Sequence, residues 1–121
     1  MVQARKSMKR SRINPVSKKR QAENVIRKRL RNRLLEERPW CEARIKGCTR
    51  VATDLHEIMT RARGGSITDE NNILCLCRNC HAFITVEPAW SEANGFTVHA
   101  WATEADIKAA ARARAYFAEN R

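Results

Sequence analysis

No apolar run in this 121-residue chain approaches the roughly 18–20 residues of a membrane-spanning helix. The N-terminus is basic, but no apolar segment of signal-peptide type follows it. These absences speak against a membrane-spanning or secreted protein and lead us to expect a cytoplasmic one. Aromatic residues are few, at 6 %, so a chain that is 43 % hydrophobic will build only a modest core. At this length there is room for one small domain, marginally stabilised by burial alone, plus a tail. No internal repeat is present, and no low-complexity tract beyond the basic N-terminal stretch.

Acids are scarce in the first third. Residues 1–39 hold 14 Lys and Arg against three acids (Glu23, Glu36 and Glu37), whereas residues 40–121 hold ten of each sign. The whole formal excess of +11 therefore sits at the front. Such a segment neutralises phosphates and releases counterions, which suits nucleic acid; the alternatives are a solubilising tail or an arm that binds anionic lipid or ribosomal RNA. A membrane-surface helix would want aromatics on one face, and residues 1–39 contain none.

Residues 1–20 carry eight basic residues, no acids and Pro15, and are expected to be disordered. Residues 21–39 form a basic amphipathic helix. Ala22, Val25, Ile26, Leu30, Leu34 and Leu35 share one face, Arg27, Lys28 and Arg31 lie on the other, and Pro39 stops it. Val51–Ile58 and Ile73–Cys77 read as short strands around a polar loop turning at Gly64-Gly65. Arg78–Val86 reads as a helix ended by Pro88. In residues 88–121, Phe96–Trp101 alternates like a strand. Thr103 caps a last helix to about Glu119, with Asp106 completing a capping box. Trp40, Trp90 and Trp101 read as satellite-core residues, and His99 as structural.

The cysteines point to metal rather than disulfides. Cys41 and Cys48 are separated by six residues, and Cys77-x2-Cys80 follows 28 residues later. Four thiolates brought together make a closed tetrahedral zinc site, whose binding energy a small core can use. Gly47 permits the tight return before Cys48. Cys75, inside the apolar run Ile73–Leu76, is expected to be buried. Such a zinc site also draws His81, next to Cys80, toward His56 on the first strand.

The run DLHEIMTRARGGSITDENNILCLCRNCH resembles the ββα-metal motif of the HNH endonucleases, in the zinc-stabilised form common among phage proteins. The match covers about residues 40–87. It implies an α+β fold, a small ββα-metal domain with a four-cysteine structural zinc, preceded by a basic arm and helix. It also implies metal-dependent DNA hydrolysis with Mg²⁺, Mn²⁺ or another divalent ion, a host-cell cytoplasmic setting, and phage packaging proteins as partners. In the family pattern, Asn72 braces the loop and His81 binds the catalytic ion. Counting back seven residues from Gly64, the family's general-base histidine falls on Glu57 and its metal-binding neighbour on His56.

The sequence thus departs from the pattern at the base itself, which leaves two assignments. In one, His56 and His81 hold the ion and Glu57 is the base, a weaker one at neutral pH than imidazole. In the other, His56 is the base and Asp54 or Glu57 helps hold the ion. Arg61, Arg63 and Arg78 flank the site and can grip phosphates. A further reading is a nuclease inactivated by the substitution, or a non-catalytic zinc-finger-like DNA-binding protein or regulator.

Overall fold

The computed structural model describes residues 16–121. Most of the expected N-terminal arm, residues 1–15, lies outside the described residues. The arm ends earlier than residue 20, because helix α1 already runs over Lys18–Glu37. Ser17 starts it, its hydroxyl accepting the Arg20 N–H at 3.1 Å, as an N-cap should. Only the second half of the apolar stripe docks: Leu30 and Leu34 are buried, while Val25 and Ile26 are both 52 % exposed. Polar contacts hold the first half instead, Glu23 to Arg61 and Arg27 to the Ile67 carbonyl.

Strands β1 (Asp54–Glu57) and β2 (Ile73–Leu76) pair antiparallel, with Leu55 opposite Cys75, His56 opposite Leu74 and Glu57 opposite Ile73. The longer strand expected over 51–58 is realised as β1 plus an isolated bridge between Val51 and Trp40. Side chains alternate across a strand, so the hairpin sorts its residues onto two faces. Leu55, Ile73 and Cys75 pack with Leu30, Leu34 and Ala52 beneath α1. Leu74 and Leu76 pack on the other face with Ile58, Ile84, Phe96, Val98 and Ala110.

Helix α2 (Arg78–Val86) follows β2 directly, with Cys77 as its cap. Pro88 does end it, but a further helix, α3 (Pro88–Ala93), begins at that proline. The proline ring presets the backbone angle of a first helical residue and lacks an N–H that would go unpaired there. Buried Ser91 joins the two helices, its hydroxyl reaching the Ile84 and Glu87 carbonyls at 2.8 and 2.7 Å. Helix α4 (Glu104–Asn120) carries the expected Thr103–Asp106 capping box. Trp90 sits among Phe83, Phe96 and Phe117 at ring separations of 5.0–5.7 Å, which knits α2, α3 and α4 together.

Two expectations are corrected. Phe96–Trp101 forms no strand: it begins in a bend at Phe96 and ends in a turn at Ala100-Trp101; Phe96 and Val98 are buried, yet only the Val98 N–H finds a partner beside the sheet, the Ile58 carbonyl at 3.0 Å. The alternation is satisfied by laying the segment across the end of the hairpin. Of the tryptophans, only Trp90 is a core residue: Trp40 is 58 % exposed and Trp101 78 %. No described helix is long and apolar enough to cross a membrane.

Candidate functional site

The chain forms two chemical centres, one on each side of the N-terminal turn of α2. In the first, the sulfurs of Cys41, Cys48, Cys77 and Cys80 all lie within 4.8 Å of one another. A Zn–S bond of about 2.3 Å sets tetrahedral sulfurs about 3.8 Å apart, and Cys77 Sγ is 3.8 Å from Cys48 Sγ. None of the five cysteines is in a disulfide. These four can hold a metal ion such as zinc.

Each half of the centre is a turn that aims backbone N–H groups at sulfur. The Arg50 N–H donates to Cys48 Sγ at 3.2 Å and the Cys80 N–H to Cys77 Sγ at 3.3 Å. The first turn needs left-handed backbone, with φ of 90° at Gly47, as its sequence position suggested. Burial pushes the Cys77 thiol up, but hydrogen bonds from the Cys80 backbone and from Thr49 outweigh it and hold the thiol down to about 6, whereas burial pushes the Cys48 and Cys80 thiols up. Cys75 stands apart, fully buried on the α1 face, its thiol pushed up to about 11 by burial and the nearby Glu42 carboxylate.

The second centre is a cleft of about 480 Å³ whose walls include Arg27, His56, Glu57, Arg63, His81 and Thr85. The His56 and His81 rings meet edge to face, with centroids 5.3 Å apart. His56 Nε2 lies 2.6 Å from the Phe96 carbonyl. A carbonyl only accepts, so Nε2 carries the proton and Nδ1 keeps its lone pair. His81 Nδ1 lies 3.0 Å from Asp54 Oδ2, which leaves Nε2 of that ring available in the same way. Burial, and then the neighbouring His81, hold the His56 imidazole below the usual histidine range. Burial alone would raise the Asp54 carboxyl, but hydrogen bonds from His81, Arg78 and Thr53 together hold it below the usual carboxylate range.

Glu57 also lines the cleft, but it is the neighbour of His56 on the strand and belongs to the α1 face with Ile73. Its carboxylate pairs with Arg27 of α1 at 2.6 Å. Asn72 sits immediately before β2 and braces the loop: its side-chain oxygen accepts the Met59 N–H at 2.8 Å. Its amide nitrogen donates to the Met59 and Ser66 carbonyls, each at 2.9 Å. The Gly64-Gly65 turn inside that brace requires both glycines. Gly64 has φ of 95°, and a Cβ on Gly65 would lie 1.8 Å from the Met59 carbonyl oxygen.

The basic residues singled out by sequence divide sharply. Arg27 and Arg63 line the cleft, and each donates to a backbone carbonyl at 2.8 Å, Ile67 and Val98 respectively. Arg31 reaches the Thr53 carbonyl at 3.0 Å, and Arg61 pairs with Glu23. Arg78 touches Asp54 at 2.9 Å with most of its side chain in solvent, and Lys28 is exposed. His99 is bracketed by Glu92 at 3.1 Å and Asp106 at 3.7 Å, at the junction of α3 and α4.

Sequence reasoning missed the Phe96 carbonyl, which is 40 residues from His56, and the Arg27–Glu57 pair across two elements. The contact between Asp54 and His81 had one legible trace, the spacing of Asp54 two residues before His56, which puts both on one face of a strand. Searches of protein-family models, of curated proteins and of solved structures find no match to this chain.

Proposed function

We propose that the chain is a metal-dependent endonuclease that hydrolyses phosphodiester bonds in DNA, of the HNH type. In this reading Cys41, Cys48, Cys77 and Cys80 carry a structural zinc, and the protein works in the cytoplasm of a host cell. The observation that carries the reading is the pair of imidazoles in one cleft, each with one nitrogen engaged by a protein acceptor and the other free among the described residues. Metal-bound histidines characteristically give their second N–H to a carbonyl or a carboxylate, and His56 and His81 have one of each. A purely structural zinc module has no use for such a pair.

His56 and His81 would hold the catalytic Mg²⁺, Mn²⁺ or other divalent ion, which when bound stabilises charge developing on the phosphate and on the leaving oxygen. Glu57, the carboxylate in the same cleft, then accepts the proton of the attacking water. One observation favours the second arrangement. Asp54 and His56 share the strand face that meets His81, whereas Glu57 is already paired with Arg27. In that case His56 takes the proton through Nδ1, and His81, oriented by Asp54, holds the ion through Nε2.

The test is supercoiled plasmid incubated with the pure protein and each of Mg²⁺, Mn²⁺ and Ni²⁺. The wild type is expected to nick or linearise it, and His81→Ala to lose that activity while keeping its zinc. Plasmid left intact with every ion, by a protein that still binds it, would support the rival reading as a DNA-binding protein or regulator.

A further inference from the structure

Arg27 comes from α1, far in sequence from the other residues of the cleft, yet it stands in the cleft wall with His56 and His81. Its guanidinium is fixed at two points, Nη1 on the Ile67 carbonyl at 2.8 Å and Nη2 on Glu57 at 2.6 Å. An arginine has five N–H donors, so three remain for a ligand among the described contacts. The side chain is 24 % exposed, which leaves it accessible from the cleft while holding it in place. Arg63 also lines the cleft, and its Nη1 is pinned to the Val98 carbonyl at 2.8 Å. Two guanidiniums held by backbone carbonyls are preorganised donors, and their planar forks match the oxygens of a phosphate. Carbonyl anchoring leaves both positive charges in place, and only Arg27 has a carboxylate partner.

We infer that Arg27 and Arg63 form a phosphate clamp in the His56–His81 cleft, so that α1 supplies part of the substrate-binding surface. The inference rests on the nuclease reading for the identity of the phosphate, a phosphodiester of the DNA backbone. It separates Arg27 from Lys28, its exposed neighbour, which the sequence places in the same basic run. A guanidinium that merely staples α1 to the domain would matter for stability and not for affinity. The helix has its own apolar anchors, Leu30 and Leu34.

The experiment measures binding of the full chain to a fluorescein-labelled DNA duplex over a range of salt, together with plasmid cleavage, melting temperature and zinc content. Arg27→Ala and Arg63→Ala are each expected to weaken binding roughly 10- to 100-fold, the share of a charge-assisted hydrogen bond. Each should also reduce the salt slope by roughly 0.9. Arg27→Lys keeps the charge and so the salt slope, but loses the fork and does not recover full affinity. Lys28→Ala serves as the control and should change affinity less than either clamp variant. Folded, zinc-loaded Arg27→Ala and Arg63→Ala that bind and cleave like wild type would overturn the clamp and leave the nuclease reading standing. Wild type that never cleaves, with affinity still lost in both clamp variants, would overturn the nuclease reading and support the clamp. Because the two arginines stand on separate elements, a folding defect in one variant leaves the other as the test.

Discussion

In the proposed nuclease reading, Glu57 is the residue that separates the two arrangements of the site. It stands where the resemblance implies a histidine base, and the fold gives it an arginine partner in the same cleft. If it accepts the proton of the attacking water, Glu57→Gln should lower the cleavage rate about 10²–10⁴-fold and leave the affinity for the catalytic ion nearly unchanged. Glu57→His should then keep or raise activity at neutral pH, where imidazole is the better-matched base. If His56 is the base, His56→Ala should be inactive with the ion still bound and Glu57→Gln should cleave normally. Cleavage rates and ion titrations of the three variants decide between the two. The clamp is a separate matter, read in affinity and salt dependence.

At the scale of the element, side-chain caps start three of the four described α-helices, Ser17 for α1, Cys77 for α2 and Thr103 for α4. Helix α4 is tied at its start by Thr103, whose hydroxyl accepts the Asp106 N–H at 3.2 Å while Asp106 accepts the Thr103 N–H at 3.0 Å. The second bond is the leading cause that holds the Asp106 carboxyl below the usual range. A carboxyl with a lowered folded-state pKa contributes stability that is present above its unfolded pKa of about 3.9 and is lost as pH falls through the folded value. Asp106→Asn is therefore expected to flatten part of the acid limb of the stability curve below about pH 4. Thr103→Ala should cost about 1 kcal/mol, as for other N-cap hydroxyls. Urea melts of both variants across pH would show this, and an unchanged acid limb in Asp106→Asn would contradict it. The α1 helix behaves differently: its amphipathic period was legible, but a period cannot say how much of a stripe finds a partner. Only Leu30, Leu34 and Leu35 meet the hairpin.

For the whole molecule, the two cores are separated by one thin two-stranded sheet, and the four-cysteine centre ties the loop before β1 to the start of α2. Binding energies of structural zinc, about 10–16 kcal/mol, rival or exceed the whole stability of a typical domain, about 5–15 kcal/mol. Chelation of the metal, or Cys77→Ser, should therefore unfold the domain cooperatively, as followed by circular dichroism and zinc content. A Cys77→Ser protein that melts like wild type without metal would remove the centre from the account of stability.

Much of this was written in local chemistry. The spacing within each cysteine pair, the glycine pair, the capping box and the two short strands are determined by residues close in sequence, where backbone sterics and side-chain reach act alone. Periodicity misled at Phe96–Trp101, because an alternating segment becomes a strand only where another edge offers partners, and here one carbonyl does. Pro88 read as a stop because a proline's fixed geometry ends one helix and begins the next equally well. Only the tertiary structure decided that Phe96 orients His56, that Asp54 orients His81, and that α1 brings Arg27 beside Glu57. Those contacts join positions 27 to 40 residues apart, and their geometry depends on how the two faces of the hairpin are packed, which no local pattern encodes.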